Sequence, residues 1–140
     1  MKENEYKKTE YYLYNYKNID NIIEEIEYSI INAVNISASA WLRGRKNDSY
    51  TVENQAIKLA ENKKIYNLKK VKIIIQHYLK LIKSRNLKRY EFIKMKYFDK
   101  ASPLEIKKVL GYNEKQQADI TNMVVSFFYK QFKKAEIGGM

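Results

Sequence analysis

Apolar side chains recur along this chain in steps of three and four, with no stretch of strict alternation to suggest a strand. From Glu10 to about Ala40 there is neither glycine nor proline, and Leu13, Tyr16, Ile19, Ile22 or Ile23, Ile26, Ile30 and Ala33 or Val34 fall on one stripe. That spacing predicts a long amphipathic helix. After a weaker pattern around Ser37 comes a basic loop over 41–51, which holds Trp41, Arg43, Gly44, Arg45 and Lys46, and Thr51 is a suitable cap for a second helix. From Val52 to about Ile82 both breakers are again missing, and Ile65, Leu68, Val71, Ile75, Tyr78 and Ile82 keep the same step. Two helices of matching length, each with one apolar stripe, predict a hairpin that buries both. Ile74, Leu79 and Leu81 widen the second stripe beyond a coiled-coil seam, which leaves surface for the rest of the chain or for a second copy in a homodimer.

A third region begins near Asn86. Leu87, Tyr90, Phe92 or Ile93, and Tyr97 or Phe98 predict a helix ending close to Asp99. Next come two helix starts separated by a glycine. Ser102 is a cap, Pro103 suits the first helical position and Glu105 completes a capping box, while Gly111 can take the left-handed conformation that ends the helix. Asn113 and Gln116 repeat the start signal. Ile106, Val109 and Leu110 are expected in a core beneath Tyr112, joined by Ile120, Val124, Phe127 or Phe128, and Tyr129 or Phe132 from the last helix. The expected class is therefore all-α, with a helical hairpin over 1–84, a compact helix-turn-helix domain over 85–135 and a flexible tail over 136–140.

Composition narrows the chemistry. The 140 residues are 45% apolar, enough for one modest core, and no run of 18 apolar residues suggests a membrane span. The N-terminus lacks an apolar signal core, so a cytoplasmic location is expected. Absence of cysteine removes disulfides, thiol catalysis and cysteine zinc sites, and the single histidine, His77, has no second ligand beside it. No glycine-rich phosphate loop is present, and Glu24, Glu25 and Glu27 lack metal-centre spacing, so neither an enzyme nor a cofactor is expected. The net charge of +11 is unevenly placed: residues 1–40 hold 4 lysines and 7 acids, net −3, and residues 41–140 carry net +14. The basic part suits a polyanion. The acidic patch suits a soluble helix face or a protein partner, and the tyrosines at 11, 12, 14 and 16 suit packing.

The segment from Phe92 to Asn113 resembles the DNA-binding region shared by sigma factor region 4 and small phage regulators of the ArpU and RinA type. Met95, Lys96, Tyr97 and Phe98 match the end of the helix before the motif, and Leu104, Glu105, Ile106, Val109, Leu110 and Gly111 match its first helix. The long helical N-terminal part, with its tyrosines at 11–16 and the segment from Glu53 to Glu61, is similar in layout. The resemblance implies a phage or prophage transcription activator, acting on late genes, with double-stranded DNA and RNA polymerase as partners. It departs at Gln117, six positions after the glycine, where those regulators carry an aliphatic residue, and acidic Glu114 and Asp119 stand near the expected phosphate-facing surface.

On this reading the helix after Asn113 enters a major groove, with Lys115, Gln116, Asp119, Thr121 and Asn122 at base edges. Lys100, Ser102, Lys107, Lys108 and Lys130 are expected at flanking phosphates. Arg43, Arg45 and Lys46 are candidates for an accessory contact with a minor groove. Two other classes share the outline: a small-terminase-like DNA packaging protein, and a helical module that binds protein.

Overall fold

The computed structural model describes residues 1–42 and 48–138, and outside 33–57 their side chains as well. Arg43, Arg45 and Lys46 lie outside the described residues. The elements are α1 (Glu3–Tyr14), α2 (Ile19–Leu42), α3 (Asp48–Arg85), α4 (Leu87–Ile93), α5 (Pro103–Leu110) and α6 (Glu114–Lys134). A short 3-10 turn at Tyr16–Asn18 precedes α2, and α4 continues as a π-helical turn over Lys94–Phe98. No strand occurs among the described residues, so the all-α class holds.

The apolar stripe of the first forty residues belongs to two helices. Asparagines interrupt it where no glycine or proline stands. Both the backbone N–H and the side-chain amide of Asn15 donate to the Tyr11 carbonyl, at 3.1 and 2.8 Å, and Asn21 donates to Asn18 Oδ1 at 2.9 Å. Asparagine side chains compete in this way with the helical ladder, so α1 ends and α2 starts afresh. Helix α3 begins at Asp48, three residues before the expected cap at Thr51.

By its contacts the chain divides into two units, residues 18–69 and residues 1–17 with 70–140. This differs from the boundary expected between 84 and 85. In the smaller unit, Ile19 and Ile23 on α2 and Ile65 and Leu68 on α3 are buried at one-face spacing. In the larger unit α1, the last part of α3, α4, α5 and α6 share a core. Leu13, Val71, Ile75, Phe92, Ile93, Tyr97, Val125, Phe128 and Phe132 are all fully buried there.

Helix α1 joins this core because its apolar face meets aromatic rings at the end of the chain. Tyr12 meets Phe132 edge-on with centroids 5.6 Å apart, and Tyr14 meets Tyr97 at 4.7 Å. Helix α3 is tied to α6 by the Tyr78 hydroxyl, which donates to Gln131 Oε1 at 2.9 Å. The C-terminus follows α6 into the same packing. Ile137 is 1% exposed and its N–H donates to the Phe132 carbonyl at 3.1 Å, while Lys8 Nζ donates to the Gly138 carbonyl. Of the flexible tail expected over 136–140, residues 139–140 lie outside the described residues, and Ile137 is an apolar side chain with a site to fill.

Candidate nucleic-acid interface

The region after Asp99 is built almost wholly from local chemistry. Asp99 N–H reaches back to the Lys94 carbonyl and Ala101 N–H to the Met95 carbonyl, which closes the π turn. Lys100 then takes a left-handed conformation, φ 52°, and Ala101 leads into the cap. The Ser102 hydroxyl accepts from Glu105 N–H at 3.2 Å with Pro103 in the first turn. At the other end of α5, Gly111 has φ 76°, and its N–H donates to the Lys107 carbonyl. Gly111, Tyr112 and Asn113 form the whole connection to α6. Asn113 Oδ1 accepts from Gln116 N–H at 2.8 Å, and Gln116 Oε1 accepts from Asn113 N–H at 2.9 Å, a reciprocal capping box.

The turn is held from both sides. Phe92 meets the Tyr112 ring edge-on at 6.1 Å, and Lys88 Nζ lies 4.4 Å from that ring's centroid. Beneath the turn, Gln117 is 7% exposed, and its Nε2 donates to the carbonyls of Pro103 and Tyr112, each at 2.9 Å. One amide thus links the start of α5 to the turn and both to α6. The residue six positions after the glycine is thus a buried polar link.

The candidate residues separate by burial. Lys115, Gln116, Asp119 and Asn122 are exposed on α6, whereas Ile120 and Val124 are buried. Gln116 spends its side-chain oxygen on the cap, and Asn122 Oδ1 accepts from the Tyr6 hydroxyl of α1 at 3.0 Å, which leaves the two amide NH2 groups as their reading atoms. Thr121 is not on this surface. It is 5% exposed; its hydroxyl donates to the Gln117 carbonyl and accepts from Lys96 Nζ, both at 2.8 Å. Helical phase explains the correction, since residue 121 follows 117 by one turn onto the core side. Val109 is likewise 68% exposed and Leu104 60% exposed, so α5 contributes Ile106 to the core while those two face outward.

Lys100, Ser102, Lys107, Lys108 and Lys130 are all exposed. None of these lysines, nor Lys115, takes part in an ion pair among the described residues. A separate basic recess of about 250 Å³ includes Lys17, Lys80, Lys83 and Lys94 around Phe98 and Tyr90. Its lysines come from three distant stretches of sequence, so no local signal announced it.

Beside this surface, α1 makes a half-buried polar contact that no local sequence signal announces. Tyr97 is fully buried and donates to Glu10 Oε2 at 2.8 Å. Burial first, and the Glu10 hydrogen bond second, push the Tyr97 phenol far above its ordinary range. Burial also lowers Lys96, an effect that the charge of Glu10 opposes. Of the tyrosines at 11, 12, 14 and 16 only Tyr12 is buried, with Tyr11 50% and Tyr14 38% exposed, while Glu10 beside them is a half-buried acceptor.

His77 is exposed beside Tyr78, and no group of three or more metal-ligating side chains occurs among the described residues. No described helix is long and apolar enough to cross a membrane. Comparison with protein-family models, with curated proteins and with solved structures finds no match to this chain.

Proposed function

We propose that the protein is a sequence-specific, double-stranded DNA-binding transcription regulator, with α5, the three-residue turn and α6 acting as a helix-turn-helix. The observation that carries this reading is the left-handed Gly111 between two capped helices. In α6, which follows it, Ile120 and Val124 are buried while Lys115, Gln116, Asp119 and Asn122 are exposed. Lysine addresses guanine acceptors, and the amide NH2 groups can donate to the N7 that either purine offers. Unpaired Lys107, Lys108, Lys100 and Lys130 supply charge for neighbouring phosphates, and Ser102 stands at the mouth of α5. The resemblance to phage regulators extends the proposal to a late-gene activator that works in the cytoplasm without catalysis. Exposed Glu24, Glu25 and Glu27 on α2 are then the surface offered to RNA polymerase.

The test uses DNA selected from a random pool and the full chain at fixed salt. Lys115 and Asp119 are bonded to no other protein group among the described residues, so K115A with D119A leaves the packing intact. The expected result is a loss of roughly tenfold or more in preference for the selected site over a scrambled one, with ellipticity unchanged. K107Q should weaken both DNAs alike and lower the salt slope by about one. A double variant that keeps the full preference would overturn the assigned reading face.

A further inference from the structure

Where the end of α3, the start of α4 and the middle of α6 meet, a cleft of about 240 Å³ is lined by Ile82, Arg89, Met123, Val124, Phe127 and Phe128. Five of the six walls are apolar. Val124 and Phe128 are buried at its floor, Ile82 and Phe127 are half-buried, and Met123 is 55% exposed at its rim.

Arg89 is the exception. Its backbone N–H serves the Asn86 cap at 3.1 Å, whereas the guanidinium has no hydrogen-bond or carboxylate partner among the described residues. Nε of Arg89 is buried, the one buried side-chain nitrogen or oxygen among the described residues without a partner. Folding ordinarily satisfies such a donor or leaves it in water. Here a permanent positive charge with an unfilled donor stands at an otherwise hydrocarbon cleft.

We propose that this cleft binds a medium-chain monocarboxylate. The carboxylate would take Nε–H and one terminal N–H of Arg89 in the two-bond fork that guanidinium offers, and the hydrocarbon body would lie against Ile82, Phe127 and Met123. A bare inorganic anion would leave the apolar walls unused, and a cation would meet the Arg89 charge. At about 30 Å³ per water-sized group, the cleft holds roughly eight non-hydrogen atoms, the six carbons and two oxygens of hexanoate, and an eight-carbon acid would extend past its open rim. Met123 is unbranched and exposed at the rim, so its thioether chain can move aside as a ligand enters. The proposal stands apart from DNA reading, since none of its residues belongs to the assigned reading face.

The test is a titration of the full chain, labelled with ¹³C at its methionine methyls, with sodium octanoate, 1-octanol and sodium acetate. Saturable movement of the Met123 methyl by octanoate is expected, with octanol and acetate at least tenfold weaker and Met95 unmoved. R89Q should weaken octanoate at least tenfold and leave octanol as it was. R89K, which keeps the charge and loses the fork, should resemble R89Q. Octanol binding as well as octanoate, a shift that never saturates, or R89Q binding octanoate like the parent chain would each overturn the proposal. If R89Q fails to fold, the octanoate and octanol comparison on the unaltered chain decides.

Discussion

Two buried polar side chains carry more of this molecule than their number suggests. Gln117 serves two carbonyls with one amide in a half-buried site, so Q117A removes the link between α5, the turn and α6. A hydrogen bond contributes about 0.5–1.5 kcal/mol net, so losing the two is expected to cost about 1–3 kcal/mol by chemical denaturation. Q117L fills the volume without serving the carbonyls and should recover only part of that loss. Tyr97 sets a limit in alkali. Its folded value is raised above the ordinary 10.0, so the stability it lends is complete below pH 10 and is lost as pH rises beyond that. One such group contributes up to about 1.4 kcal/mol per pH unit over that range. Urea unfolding of Y97F between pH 10 and 11 should therefore fall less steeply than in the parent chain, by about 1 kcal/mol per pH unit. An unchanged slope would mean that the phenol is not withheld from ionising. Tyr6, Tyr12 and Tyr14 are raised as well, chiefly by burial, and account for slope that remains.

At the scale of elements, the legible features were those that a few neighbouring residues decide. Ser102 with Pro103, Gly111, and Asn113 with Gln116 place the ends of α5 and α6 at the expected residues, because caps are hydrogen bonds between positions three apart. Asn86 starts α4 for the same reason, accepting from Arg89 N–H. The break at Asn15–Asn18 was hidden because asparagine can sit in a helix or end one, and the choice falls to the packing of Leu13 and Tyr12. The side from which α5 is covered was hidden too, so Val109 could not be told from Ile106 by spacing alone. Gly111 provides a sharp check on the turn. A Cβ there would meet nothing within 4 Å, so G111A should cost only the penalty of a left-handed backbone for alanine, about 1–2 kcal/mol. G111N should cost less, since asparagine visits that conformation more readily, and melting temperatures of the two variants would rank them. A loss well above 3 kcal/mol in G111A would point to steric collision and a differently built turn.

In the whole molecule, the uneven charge was visible along the chain, and the pairing of its ends was not. Net charge is a sum over residues, whereas the union of α1 with α6 rests on contacts more than a hundred residues apart, such as Tyr6 with Asn122 and Lys8 with Gly138. The expected domain over 85–135 would hold α4, α5 and α6 without α1 or α3. Against that, Leu13, Tyr12 and Thr9 of α1 are buried in this unit, as are Val71, Ile75 and Leu79 of α3. Burying a large apolar side chain stabilises by about 1.5–3 kcal/mol, so removing Tyr12 and Leu13 together costs on the order of 5 kcal/mol before Phe132 is exposed. That is comparable to the whole stability of an ordinary domain. Deleting residues 1–14 should therefore leave α6 without cooperative protection: amides around Val125 and Phe128 should exchange with solvent orders of magnitude faster, while the shorter chain keeps much of its helical ellipticity. Protection of those amides at parent levels in the truncated chain would instead restore the boundary at residue 85 and make α1 a separable arm. The same experiment bears on DNA reading, because a helix whose core side is not fixed cannot hold Lys115 and Asp119 at a set angle to a groove.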